Sequence, residues 1–289
     1  MTGRRTPLPR ETGAAARSAG LGDLTGRRGP LSRAAGTAVR SAVTGRRGPL
    51  LQAALNGTRG SGESAVVPRD PAALAEAAAD AVAAGAHEVR IRPRTPCGGG
   101  SLSPRVVGPA LTALRERVRV PVAVPADAWA EPDPERRVAR VRSWETLPDL
   151  AWVAWHEPGA EETAAALLDR GVAVEAGLRP GTAGPALFAR SPLALRVRRV
   201  AAEVPEAAGR GTETEAWPRA LAAGSGVPLL VHGVGATAWP VLRLARELGA
   251  AGRIGLEDSL VLPDGTRARS TAEQVRAALA DPWGPSGRA

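Results

Sequence analysis

Apolar strand-length segments and alanine-rich helical segments alternate eight times over about 230 residues, and this rhythm restricts the fold more than any single motif. Leu50–Leu55 reads as the first strand, ending at Asn56-Gly57. Asp70-Pro71, a cap followed by a proline in the first helical position, opens a helix that ends near Gly85. Glu88–Pro93 is the second strand, and 94–101 a Pro/Gly loop. Ser103-Pro104 repeats the cap-then-proline signal and starts a helix reaching about Val118. Strands are then expected at Arg119–Val124, Leu150–Trp155, Val172–Ala176, Leu193–Val200, Pro228–His232 and Arg253–Leu256. Helices are expected over Pro132–Arg142, Ala160–Arg170, 180–190, 213–223, Ala236–Leu248 and Thr271–Leu279. Eight such units predict a (β/α)8 barrel over residues 49–283, with a doubly wound open sheet as the other alternating architecture.

Composition separates a leader from this barrel. Residues 1–48 carry ten arginines against Glu11 and Asp23, and repeat Thr-Gly-Arg-Arg-x-Pro-Leu at Thr2, Thr25 and Thr44. So few large apolar residues cannot offset the entropy of ordering, and the leader is expected to be disordered. It reads either as a basic arm or as translation from too far upstream. The leader holds nearly all of the formal +9 charge, so the remainder is close to neutral. Nucleic-acid binding by the barrel is not expected. Every basic residue is arginine, as a GC-rich coding bias produces. Cys97 is the lone cysteine, which excludes a disulfide framework and fits a reducing cytoplasm. Neither a secretory signal nor a membrane span is expected, since the uncharged run Ala220–Leu242 is broken by glycines and prolines.

A barrel places its chemistry at the C-terminal strand ends. Those ends read Asn56, Arg90, Arg92, Arg94, Asp127, His156, Glu157, Glu175, Glu203, His232, Glu257 and Asp258. Strand ends meet water, so each alone is also an ordinary polar terminus; the convergence is what carries weight. In Arg253-Ile-Gly-Leu-Glu-Asp258 a strand runs into two adjacent carboxylates, suited to proton transfer or metal binding, or simply a strand end with an ion pair. Strand alternation lets at most one acid face inward unless the loop aims the other. Gly233-Val-Gly-Ala-Thr-Ala238, with Glu257 further on, matches a dinucleotide fingerprint, although a seventh unit is not its usual place. In a barrel the same glycines suit a phosphate. Cys97 lies in a Pro-Cys-Gly-Gly-Gly loop with no histidine near it in sequence and reads as a bystander.

Several segments together resemble the β-keto acid cleavage enzymes, which include the 3-keto-5-aminohexanoate cleavage enzymes. They are Leu51-Gln-Ala-Ala-Leu-Asn-Gly57, Ala84–Arg94, Ala128-Trp-Ala-Glu-Pro-Asp-Pro134, Glu157-Pro-Gly-Ala160, Val174-Glu-Ala-Gly177, Val231-His-Gly-x-Gly235 and Arg253–Asp258. The resemblance spans roughly residues 50–280. It implies a barrel with a divalent metal, usually zinc, that condenses a β-keto acid with acetyl-CoA to give acetoacetate and a new acyl-CoA. Carried over, Glu257 is a metal ligand, Asp258 the acid/base residue, Arg253 its electrostatic partner and Glu175 a pocket residue. The family's His-x-His pair is here Arg90 and Arg92, and guanidinium has no lone pair for a metal. Three readings follow: a metal site rebuilt from Glu257, His232 and Asp127 or Glu175; a metal-free protein in which Arg90 and Arg92 fork onto a carboxylate; or an inactive paralogue. Asn56, Arg94 and His232 complete the expected substrate-binding set. The expected partner is a small carboxylate or β-keto acid, and a homo-oligomer stays open.

Overall fold

The structure, a computed structural model, describes residues 50–60, 62–206 and 212–280. The expected leader and its repeats lie outside these, as does Trp283. Eight parallel strands close into a barrel in sequence order. They are β1 Leu51–Ala54, β2 Glu88–Arg90, β3 Val122–Pro125, β4 Leu150–Ala154, β5 Ala173–Leu178, β6 Arg199–Val204, β7 Leu229–Gly233 and β8 Ala251–Ile254. The ring closes where β8 pairs with β1, with Leu51 opposite Gly252 and Ala53 opposite Ile254. Helices α1 Pro71–Ala83, α2 Pro104–Arg117, α3 Pro134–Arg142, α4 Ala160–Asp169, α5 Gly184–Arg190, α6 Thr212–Gly224, α7 Ala238–Glu247 and α8 Thr271–Ala280 follow the strands. Among the described residues no helix is long and apolar enough to cross a membrane.

Side-chain caps set the starts of two helices. Asp70 caps α1 by accepting from the Ala73 N–H at 2.9 Å, and Asp133 caps α3 by accepting from Arg136 at 2.8 Å. Pro104 does start α2, but the Ser103 side chain makes no capping bond. The outward strand faces and the helices share one large apolar core, including Val89, Ile91, Val124, Val153, Val174 and Val231. A smaller cluster of Trp152, Ala154, Ala201 and Leu230 fills the barrel interior.

Several strand bounds differ from expectation: β2 stops at Arg90, β3 starts at Val122, β5 runs on to Leu178, and β6 and β8 are displaced. The sixth is Arg199–Val204, not Leu193–Val200. Leu193 and Val197 are buried four residues apart, and the Arg196 and Val197 amides donate back to the Leu193 carbonyl, which is a helical turn. The true strand was hidden because alanine is a weak strand signal. The last strand ends at Ile254, so Gly255–Asp258 is a turn in which Asp258 and Ser259 donate to the Gly255 carbonyl at 2.9 and 3.0 Å. Gly255 presses against the backbone of Ala54, where a Cβ would collide with the Ala54 carbonyl.

Gly255→Ala is expected to destabilise the barrel by about 1–3 kcal/mol through this overpacking. Gly249→Ala meets open space at φ +65° and should cost about 1 kcal/mol. Urea unfolding of the two variants checks the order.

Candidate functional site

The Gly255–Asp258 turn breaks strand alternation, and this brings both carboxylates to arginines at the barrel mouth. Arg253 donates from Nη2 to Asp258 Oδ1 at 2.6 Å and from Nε to both Asp258 oxygens at 3.2 Å. Arg90, inward-facing at the end of β2, donates from Nε to both Glu257 oxygens at 3.2 Å. Arg92 lies 2.7 Å from Asp127 Oδ2, and its Nε is 3.5 Å from Glu257 Oε1. Three guanidinium groups and three carboxylates therefore interlock at the mouth. Gly57 makes room for this: at φ +57° it lies against Glu257, whose Cγ would be 2.6 Å from a Cβ there.

The electrostatics follow from the packing. Burial pushes the Glu257 carboxyl up, but Arg90, Arg253 and Arg92 outweigh it and hold its pKa at about 2. Asp258 moves the other way: burial raises it, and Glu257 adds to this, against the pull of Arg253. Burial, reinforced by Arg253, Arg90 and Arg179, pushes His232 well below its ordinary value, so its imidazole is neutral. His232 is fully buried, and Nδ1 is 3.7 Å from Asp258 Oδ1, beyond hydrogen-bond length.

Several expected site residues are engaged elsewhere. The Asn56 amide clasps the Arg92 backbone, donating to its carbonyl at 2.9 Å and accepting from its N–H at 2.8 Å. It continues the β1–β2 pairing past Arg90. Arg94 spans the Gly57, Arg59 and Gly98 carbonyls at 2.7, 2.8 and 3.2 Å, stitching two loops together. Glu175 is not at a strand end, because β5 continues to Leu178; it is buried with Arg199, Glu88 and Gln52 in a layer below the mouth. The Arg90 and Arg92 forks, expected to be open, already hold Glu257 and Asp127.

Metal coordination does not fit these residues. Among the described residues no three His, Cys, Asp or Glu side chains come together as a ligand set, so the rebuilt site from Glu257, His232 and Asp127 or Glu175 is not formed. Two strand positions expected to supply imidazole instead supply guanidinium, one of them bonded to both oxygens of the remaining acid. His87 offers no replacement, since its Nδ1 accepts from the Leu51 N–H at the opposite end of the barrel.

The dinucleotide reading also yields to the closed barrel. Gly235–Thr237 forms one 3-10 turn, whose Gly235 N–H donates to the Asp258 carbonyl and whose Ala236 N–H donates to Glu206. Cys97 is exposed in its loop.

The model of the beta-keto acid cleavage enzyme family matches residues 205–280, which hold β7, β8 and the Arg253–Asp258 turn. The chain resembles that family. The match covers about a quarter of the chain and leaves the arginine-bearing β2 outside it. No match occurs among the curated proteins. Among solved structures, ObcA with a C4-CoA adduct and oxalate superposes with a TM-score of 0.55 at 16% identity, over 74% of this chain and 63% of that one. ObcA with oxaloacetate gives 0.54 at 15% identity, with the same shares. The chain thus spans less than two thirds of ObcA. The homocysteine methyltransferase MmuM from Escherichia coli gives 0.52 at 17% identity, over 83% of this chain and 98% of that one. At such identities these likenesses are of fold.

Residue-type reasoning passed over Trp152 and Trp129. Trp152 lies across the interior under Arg90, whose guanidinium carbon is 4.9 Å from the ring centroid. Gly177 opposite is a glycine because the indole occupies the place of a Cβ. Trp129 receives both Arg92 and Arg94 on its ring at 5.3 Å. Counting parity along β4 finds Trp152, since Leu150, Trp152 and Ala154 share one side.

His232 gives a pH prediction. Its folded pKa is depressed, so below the ordinary 6.5 the unfolded chain takes up a proton that the fold refuses. Stability contributed by this group is full above 6.5 and falls with decreasing pH, by up to about 1.4 kcal/mol per unit. His232→Asn should flatten the slope of unfolding free energy between pH 6.5 and 5. Denaturant titrations across that range check it.

Proposed function

We propose that this chain is a divergent β-keto acid cleavage-type barrel that binds a small carboxylate or β-keto acid without a divalent metal. One observation carries the reading: Arg90 bonds both oxygens of Glu257 from the position where the resemblance calls for a metal-binding imidazole. A guanidinium supplies fixed positive charge and N–H donors, so it can hold an anionic ligand oxygen electrostatically. It cannot bring a ligand oxygen into a coordination sphere. Within the interlocked group, Arg90 Nη1 and Arg92 Nε are without a hydrogen bond among the described residues, and these are the cationic donors we assign to the ligand. The ObcA structures contain oxaloacetate and oxalate, which makes small keto acids and dicarboxylates sensible probes.

The Arg253–Asp258 pair favours a second reading, in which part of the family chemistry survives. Burial raises Asp258 while Arg253 fixes its orientation, which suits a carboxylate that takes a proton from a ligand held beside it. On this reading acetyl-CoA is the co-substrate, and the products are acetoacetate and a new acyl-CoA. Loss of a β-keto acid other than acetoacetate that depends on acetyl-CoA, with acetoacetate formed, and that is abolished in Asp258→Asn, would support it; no turnover with any β-keto acid leaves the binding reading alone.

Metal-free binding is tested by thermal unfolding with oxaloacetate, acetoacetate and oxalate, each with and without EDTA. A hundredfold excess over Kd should add about 2.7 kcal/mol and raise Tm by roughly 5–10 °C, unchanged by chelator. Stabilisation that disappears with EDTA overturns the reading. The double variant Arg90→His/Arg92→His should gain zinc, measured as metal content after dialysis, while the parent takes up none. Stoichiometric zinc in the parent would also overturn it.

A further inference from the structure

The far side of the mouth, where β5 and β6 end, carries an ion pair that the proposed function leaves unused. Gly177 on β5 lies opposite Ala201 on β6, and Ala201 belongs to the cluster that fills the barrel interior. Two residues further on, Arg179 and Glu203 continue this inward face. Their side chains meet: Arg179 Nη2 donates to Glu203 Oε1 at 2.6 Å. The Thr182 hydroxyl donates to the Arg179 carbonyl at 2.8 Å, in the turn that Gly181 makes at φ +76°. Glu203 in turn lies opposite His232 in the register of β6 with β7. The Arg179 charge acts on buried His232 together with Arg253 and Arg90, so it stands over the same lumen.

Arg179 differs from the other arginines of the mouth in access. Arg90, Arg92 and Arg253 are 1%, 7% and 3% exposed and are locked to Glu257, Asp127 and Asp258. Opening one of those pairs strands a charge in a low-dielectric interior, which is strongly unfavourable. The Arg179 side chain is 45% exposed, and an ion pair that water reaches contributes little and exchanges partners at small cost. Among the described residues its guanidinium makes one hydrogen bond, the one to Glu203, which leaves Nε and Nη1 for a ligand. Nearby groups do not compete for it. His156, which the register sets beside Arg179, is held below its ordinary pKa by burial and by the Arg179 charge, so it is neutral. Glu206 is engaged by the Ala236 N–H at 3.2 Å.

The chemistry of an accessible guanidinium selects its partner. A second carboxylate can share or replace Glu203 with the same forked geometry. A neutral group offers Arg179 less than Glu203 already does, and a cation is repelled. The carboxylate assigned to Arg90 and Arg92 does not use Arg179, so a ligand gains from it through a further negative charge.

We infer that Arg179 is the specificity-determining residue of the mouth, taking the second carboxylate of a β-keto dicarboxylate whose first carboxylate is held by Arg90 and Arg92, with Glu203 as the partner it gives up. The inference rests on the carboxylate reading above and adds to it the ligand's second charge.

The test uses the full chain in EDTA, titrated calorimetrically with freshly dissolved acetoacetate and 3-oxoglutarate. The second acid is the first with a carboxylate on its methyl carbon, so the ratio of their affinities isolates the added charge. The wild type is expected to bind 3-oxoglutarate about tenfold more tightly than acetoacetate. Arg179→Gln should bring that ratio to about one. Glu203→Gln removes the competing carboxylate and should raise the ratio by a further factor of about three. This second variant decides the matter even if Arg179→Gln is not recovered folded. A wild-type ratio near one, a ratio that Arg179→Gln leaves standing, or one that Glu203→Gln does not raise overturns the assignment, while acetoacetate binding keeps the carboxylate reading. No binding of either acid overturns both.

Discussion

The bond from Arg90 to Glu257 decides what this barrel can be. A guanidinium buried to 1% exposure needs an anion, and Glu257 is the anion within reach. Glu257 in turn meets Arg92 and Arg253, which carry Asp127 and Asp258. The mouth is thereby a closed balance of charges. Removing one member strands its partner in a low-dielectric interior, which typically costs about 3–5 kcal/mol. The same rule governs the layer beneath, where Arg199 joins Glu88 and Glu175.

Much of this was legible in the sequence, and the rest was hidden for definable reasons. Alternating periodicity gave the barrel, because each strand and helix shows its own period locally. Strand six was displaced where composition misleads on both sides of it: a leucine-valine segment takes a helical turn, and Arg199–Val204, with its two central alanines, extends. The pairing of Arg253 with Asp258 followed from proximity in the chain. The pairing of Arg90 with Glu257 joins residues 167 positions apart, and no local pattern encodes it. Asn56, Arg94 and Glu175 show the converse. Their type suits a site, yet their partners are backbone carbonyls or a deeper ion layer, and only the register reveals this.

Likeness and departure are unevenly distributed along the chain. The family model matches the last units, where the Arg253–Asp258 turn sits, and the departure lies on β2. Fold and function separate here in a physical sense. The scaffold needs only apolar outward faces and a closed register, whereas the site depends on which side chains point inward at four or five positions. A barrel can therefore keep its acids and exchange its electrophile without disturbing the strands that display them.

Arg94 has a consequence for engineering. By gripping the carbonyls of Gly57 and Arg59 and reaching across to that of Gly98, it makes the loops after β1 and β2 a single mechanical piece. Gly57 also abuts Glu257, so this piece serves as the template against which the last turn is shaped. Recombination between this chain and a metal-bearing relative would have to exchange residues 55–100 together with 253–258. A crossover between the two would mate a mould with the wrong casting.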